Sequence, residues 1–140
     1  AAESLLQGVL DTRSGGPLRA SAQLGLARIH EQQGRTDEAL SLYRTVANAA
    51  DGETGAEALY RLGRLHADAG QPREAITTLE RMASLFPGYP EWNARALLAQ
   101  ARAHRDLGQT DEAAVLYDQV MQEHAGTRFA ETARSRKEAL

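Results

Sequence analysis

The 140-residue sequence has no cysteine, a single lysine, four prolines and seven aromatic residues. Without thiols, disulfides, cysteine-ligated zinc and thiol nucleophiles are excluded. No uninterrupted apolar stretch approaches the roughly 18 residues of a membrane span, and no signal-peptide pattern opens the chain, so no direct membrane insertion is expected. The formal charge is −3, which leaves no basic surplus for wrapping nucleic acid phosphates. Of the sixteen basic residues, all but Lys137 are arginine. The chain begins Ala1-Ala2-Glu3 without Met, and the expectation is a segment of a longer or processed protein.

What the sequence does have is internal repetition. Gly34-Arg35-Thr36-Asp37-Glu38-Ala39-Leu40, Gly70-Gln71-Pro72-Arg73-Glu74-Ala75-Ile76 and Gly108-Gln109-Thr110-Asp111-Glu112-Ala113-Ala114 align, their glycines 36 and 38 residues apart. Upstream stand Ala27-Arg28-Ile29-His30, Gly63-Arg64-Leu65-His66 and Ala101-Arg102-Ala103-His104, and seven positions earlier Ala20, Ala56 and Ala94.

Each unit reads as two helices. The first carries apolar residues at helical spacing over 18–33, 53–69 and 91–107 and stops at a glycine able to take a left-handed C′ conformation. The second opens near Thr36, Pro72 or Thr110, with threonine expected as N-cap and proline in the first turn. Acidic residues follow, complementing the helix dipole. Its apolar stripe is Leu40, Tyr43 and Val46, then Ile76, Leu79 and Met82, then Leu116, Tyr117 and Val120. Ala27, Gly63 and Ala101 are expected to face Ala39, Ala75 and Ala113 at close helix approach. The result is an all-α chain of three full units at 18–50, 53–86 and 91–124. Half-units flank them: an orphan second helix at 1–12 and a polar capping helix at 128–140.

These marks resemble the tetratricopeptide repeat. They comprise the helix-turn-helix unit, the small residue at the eighth position of the first helix, the glycine turn, the Ala of Glu-Ala, Tyr43, Leu79 or Tyr117 four residues later, and Pro87 at a repeat end. The sequence departs from the family at the fourth position (Gln23, Leu59, Leu97) and the eleventh (His30, His66, His104). Its longer period is similar to that of bacterial envelope members. The resemblance implies a right-handed helical solenoid, and the subfamily likeness implies a bacterial protein, of the periplasm somewhat ahead of the cytoplasm.

Candidate chemistry is sparse. The three equivalent histidines belong to stacked repeats about 8–10 Å apart and cannot easily converge on one zinc at ~2.0–2.1 Å. Each is expected to be packed between its two helices with one nitrogen hydrogen-bonded. No serine triad, phosphate-binding glycine loop or HExxH motif is present, and the paired carboxylates sit at helix starts. No enzyme activity, metal or cofactor is expected. Phe86, Tyr89 and Trp92 cluster in one short segment with Pro87, Gly88 and Pro90. Phe86 and Trp92 are expected to cover the seam between the second and third units, with Pro and Gly shaping a longer turn and a partner-binding knuckle as the other reading.

By the resemblance, the concave groove is lined from the first helices. Its second position gives Ser21, Glu57 and Arg95, its fifth Leu24, Tyr60 and Leu98, its ninth Arg28, Arg64 and Arg102, its twelfth Glu31, Ala67 and Arg105, and its thirteenth Gln32, Asp68 and Asp106. The family's lysine and asparagine clamp for chaperone tails is absent. Arginines can fork onto carboxylates, so an acidic and apolar peptide is the expected ligand. Asp68 and Asp106, four residues after Arg64 and Arg102, are rival partners for those charges. Two readings of function remain side by side. One is a protein-interaction scaffold holding an extended peptide or a partner's helix. The other is a structural spacer of a longer solenoid without a ligand of its own. The apolar face of the 1–12 helix (Leu5, Leu6, Val9, Leu10) is expected to promote weak self-association.

Overall fold

The computed structural model describes residues 2–11 and 16–140. Among them run nine helices and no strand: α1 (Ala2–Asp11), α2 (Gly16–Gln32), α3 (Thr36–Ala49), α4 (Glu53–Asp68), α5 (Pro72–Leu79), α6 (Met82–Leu85), α7 (Pro90–Asp106), α8 (Thr110–Glu123) and α9 (Arg128–Glu138). Helices α2/α3, α4/α5 and α7/α8 are the three antiparallel pairs, and each second helix also packs on the first helix of the next unit. First helices touch across units, α2 on α4, α4 on α7 and α7 on α9. Between successive second helices lie open grooves. Stacking that is tight on one side and open on the other bends the array toward its first helices, making an all-α helical repeat solenoid.

The turn within each pair is chemically fixed. Gly34, Gly70 and Gly108 have φ of 76°, 78° and 76°, in the left-handed region where a Cβ is penalised. After each glycine the next residue's N–H reaches back to the histidine carbonyl: Arg35 to His30 at 2.8 Å, Gln71 to His66 at 2.8 Å and Gln109 to His104 at 2.9 Å. The glycine N–H bonds the carbonyl three residues back, at 3.1, 3.1 and 2.8 Å. This is the Schellman arrangement, which satisfies carbonyls the helix leaves free. The residue after the glycine thereby becomes the N-cap of the second helix: Arg35, Gln71 and Gln109, none with a side-chain cap bond. The expected threonine caps are thus corrected, because Thr36 and Thr110 are already in helix. Thr127 does cap α9, accepting from Ala130 N–H at 3.4 Å.

Small residues do set the helix approach. Ala27, Ala39, Ala75, Ala101 and Ala113 are all 0 % exposed. A Cβ added to Gly63 would overlap Leu79, so the contact of Gly63 is with the leucine one turn beyond Ala75. A Cβ on Gly55 would overlap the backbone carbonyl of Ala50 and stand 2.9 Å from Phe86 Cε1. The buried side chains form two clusters. One runs from Leu24 and Tyr43 through Leu59 and Leu79 to Phe86; the other holds Leu98, Tyr117, Val120 and Ala133.

The second helix of the middle unit, expected to be continuous, is interrupted at Glu80 and Arg81. Arg81 N–H bonds Thr78 O at 3.3 Å, an i→i−3 bond, while Glu80 N–H keeps Ile76 O at 2.9 Å. One turn is overwound in the 3₁₀ manner. It follows Thr77 and Thr78, β-branched residues with restricted χ1 in a helix, and sets Met82 and Phe86 in the core. At the N-terminal end, Leu6 lies against α2, its Cδ1 3.0 Å from where a Gly25 Cβ would stand. Leu5 is 74 % exposed and Leu10 half-buried. Val9 lies outside the described side chains.

Candidate functional site

The three histidines follow one rule with one exception. His66 Nδ1 lies 2.8 Å from Gln71 Oε1, and His104 Nδ1 lies 2.7 Å from Gln109 Oε1. Each glutamine belongs to the glycine turn of its own unit. In the first unit the equivalent residue is Arg35, which pairs instead with Glu3 of α1 at 3.5 Å. His30 Nδ1 is left buried without a partner. No group of His, Asp or Glu suited to holding a metal ion occurs among the described residues.

Two buried tyrosines also differ. The Tyr43 hydroxyl donates to Glu31 at 2.7 Å, and Glu31 lies 4.0 Å from Arg64 of the next unit. Burial, then the hydrogen bond and charge of Glu31, raise the Tyr43 phenol above its ordinary value of 10.0. At Tyr117 the position corresponding to Glu31 is Arg105, an exposed residue whose ion pair is with Asp106 at 3.4 Å. The Tyr117 hydroxyl is buried with no partner. Removing the two hydroxyls therefore has unequal effects. Tyr43→Phe costs about 1.5–3 kcal/mol, as for a hydrogen bond to a charged group. Tyr117→Phe leaves thermal stability unchanged or raised, because only an unsatisfied group is lost; a Tyr117→Phe loss matching that of Tyr43→Phe contradicts this.

The Tyr43 shift also has a pH consequence. Its native form holds the proton more tightly than the unfolded chain does, so its contribution is complete below the ordinary tyrosine value. That contribution falls as pH rises past 10.0 toward the raised native value. Urea unfolding on an alkaline series is expected to lose stability over this range, and Tyr43→Phe to flatten the slope.

On the concave side, Tyr60 and Arg64 of α4 and Leu98 and Arg102 of α7 line one depression of about 320 Å³, together with Ala67, Asp68, Arg95, Ala99 and Arg136. Tyr60 packs on Trp92 with ring centroids 5.8 Å apart, and Arg95 lies over the Trp92 ring at 4.8 Å. Trp92 Nε1 donates to Glu53 of α4 at 3.2 Å. With Phe86 buried, this aromatic group covers the seam between the second and third units. Arg95 is further held by Glu91 at 2.9 Å. Glu91 in turn holds Arg128 of α9 at 2.9 Å, and Lys137 fixes α9 to Asp118 of α8 at 2.7 Å.

The charges of this depression are unequally occupied. Arg64 pairs with Asp68 at 3.7 Å. Burial works against its charge, yet Tyr60, Asp68 and Glu31 outweigh it and raise its pKa. Asp106, the expected rival for Arg102, pairs with Arg105. Arg102 and Arg136 take part in no ion pair among the described residues. Of the residues expected in the groove, Tyr60, Arg64, Ala67, Asp68, Arg95, Leu98 and Arg102 come together here. Leu24, Arg28 and Arg105 do not line the depression. Leu24 and Leu98 are each only 8 % exposed, so Leu98 offers an apolar edge rather than a full side chain, and Arg28 is exposed farther along α2. Arg136 could not be found from the repeat alignment. It falls in the register of Leu26, Leu62 and Gln100, which are buried; only at the end of the stack is that position open.

The comparisons with known proteins agree with this architecture. Two family models, each described as tetratricopeptide repeat, match residues 18–87 and 66–134. No curated protein matches the chain. Among solved structures, PcrH from Pseudomonas aeruginosa is similar at 18 % identity and a TM-score of 0.75, over 91 % of this chain and 95 % of that one. A tetratricopeptide repeat protein from Parabacteroides merdae gives 19 % identity and 0.74, over 97 % of this chain and 51 % of that one. Nearly identical TPR-like repeats from Podosopora anserina give 21 % identity and 0.70, over 99 % and 82 %. At such identities the likeness is one of fold.

Proposed function

Because the chain belongs to the tetratricopeptide repeat family, whose repeats generally mediate contacts between proteins, we propose that it is a non-catalytic scaffold. Its concave face would bind an extended partner segment in which acidic and apolar residues alternate. The observation that carries this reading is the pair Arg102 and Arg136, free of ion pairs among the described residues and set beside Tyr60 and Leu98 in one depression. Guanidinium groups bind carboxylates in a bidentate manner, and an aromatic and aliphatic edge beside them suits the alternate side chains. The already engaged Arg64 and Arg95 frame the site and hold its position.

The test uses fluorescent peptides of alternating Glu and Leu residues, with Lys–Leu and Glu–Ser versions as comparisons. Binding of the Glu–Leu peptide, weaker for Glu–Ser and absent for Lys–Leu, is the expected order. Equal binding of the acidic and basic peptides, or none at near-millimolar protein, favours the spacer reading instead.

A further inference from the structure

On the convex side, the two grooves between successive second helices are equivalent by the repeat, yet their chemistry is opposite. Shifted by the repeat spacings of 36 and 38 residues, Arg44 falls on Glu80, Arg73 on Asp111, and Thr77-Thr78 on Val115-Leu116. The first member of each pair lines the groove between α3 and α5, and the second lines the groove between α5 and α8. One groove is therefore cationic and hydroxyl-lined, the other anionic and apolar. The helix frame is shared, so the side chains alone decide what each groove can hold.

The α5–α8 groove consists of two stretches, about 400 and 210 Å³, joined at Glu80, Gln100 and Leu116. It follows α8 from Asp111 to Glu123, about 18 Å at ~1.5 Å per residue. Its apolar surface comes from Ala83 and Val115, both exposed, and from half-buried Leu97 and Leu116. The acids stand on its two walls, Glu80 on the α5 side and Asp111, Glu112 and Glu123 on α8. No Arg or Lys lines either stretch. None of the four acids enters an ion pair among the described residues.

The floor carries a second, independent signal. Gln100 of α7 is only 7 % exposed and lines both stretches. Its side-chain amide has no hydrogen-bond partner among the described residues. The first two units hold Leu26 and Leu62 at this position. A nearly buried amide left without a partner is costly, and an occupant of the groove that brings a polar side chain to the floor satisfies it.

We propose that the α5–α8 groove docks a cationic amphipathic helix of a partner protein. The apolar stripe of that helix lies on Leu97, Val115 and Leu116, its flanking arginines or lysines meet the acids of the two walls, and one polar side chain meets Gln100. The placement of the acids sets the helical form. A helix carries its cations beside its apolar stripe, where both walls can meet them. A strand alternating cationic and apolar residues sets the two on opposite faces and would turn its cations to water. The groove lies on the face opposite the concave depression, so the two proposals stand or fall separately.

Fluorescence anisotropy of the full chain with a helical peptide tests the contact. The probe carries leucines at i, i+3, i+4 and i+7 with arginines flanking them; the comparisons are its glutamate counterpart and an alternating Lys–Leu peptide. Only the Arg–Leu helix is expected to bind, with affinity falling at least about tenfold near 1 M salt, where the Debye length is ~3 Å. Glu80→Arg/Asp111→Arg installs the residue type that the equivalent positions Arg44 and Arg73 already carry. It is expected to keep helicity and to lose at least about 100-fold in affinity, because like charges then face each other. Should that variant lose helicity, Val115→Thr at a 65 % exposed position serves instead, with an expected loss of about threefold or more. Gln100→Leu is expected to raise the melting temperature of the free chain while weakening the peptide about three- to tenfold, the equivalent of one hydrogen bond. A gain in stability with full affinity retained counts against the proposal.

Absence of binding at near-millimolar protein overturns it, as does equal binding of either comparison peptide. So does affinity undiminished in a folded Glu80→Arg/Asp111→Arg variant. Affinity lost in Arg102→Ala/Arg136→Ala would place the contact on the concave face instead.

Discussion

Gly55→Ala is expected to lower the unfolding free energy by about 3 kcal/mol, the upper part of the range for overpacking a filled site. The direction is informative, because Gly→Ala inside a helix ordinarily stabilises by roughly 0.5–1 kcal/mol. At Gly55 that gain is overridden. The new Cβ would overlap a backbone carbonyl, that of Ala50, which has no rotamer to change. Ala50 is itself tied by its N–H to Val46 O at 2.9 Å, and the other neighbour, Phe86, is 3 % exposed. Yielding would mean moving the α3–α4 connection. Gly8→Ala on α1, with nothing within 4 Å of the added Cβ, should show the ordinary gain. Urea and thermal unfolding of both variants measures the contrast, and two shifts of the same sign would mean that the α3–α4 connection yields freely.

Replacing Arg64, Arg102 and Arg136 together with alanine should reduce affinity for the Glu–Leu peptide by at least about 100-fold. Hydrogen bonds to charged groups are worth ~1.5–3 kcal/mol each, and non-additivity within one site keeps the total below the sum. Circular dichroism should be unaffected. The three residues are exposed, and the Arg64 contacts to Asp68 and Glu31 at 3.7 and 4.0 Å are surface pairs worth about 0–1 kcal/mol. Arg134→Ala, on α9 but not lining the depression, is the control for loss of charge alone. Undiminished binding in the triple variant would remove the depression from consideration as the ligand site.

The repeat units were legible because their signals are local: a glycine at each turn, acids after it and apolar residues at helical spacing. What escaped depended on partners distant in sequence. The threonine caps failed because the Schellman bonds draw Arg35, Gln71 and Gln109 into the cap position, an effect of the preceding helix rather than of Thr36 or Thr110. The expected Arg102–Asp106 pair is a correct helical spacing, but adjacent Arg105 takes Asp106. Leu24 and Leu98 were placed in the groove by register, yet close stacking of first helices buries most of each. Arg136 was invisible because equivalence to buried positions holds only while another unit follows. The interruption at Glu80–Arg81 has a weak trace in Thr77–Thr78, too common a pair to mark a break unaided.

The arginine-for-lysine bias, which the codon composition of a genome could produce, has a physical outcome at the groove. Its cations are all guanidinium groups: Arg64, Arg95, Arg102 and Arg136. A guanidinium keeps its charge at every pH a protein tolerates and does not undergo the acylation open to an amine. The sole lysine, Lys137, is spent on Asp118 at the outer end of the stack. The cationic wall is therefore constant, so if the depression binds a carboxylate-bearing segment as proposed, acid-induced release is set by the guest. As pH falls toward the carboxylate range of about 4, it is the guest's glutamates and aspartates that lose their charge, so two guests of different acidity would leave the same wall at different pH.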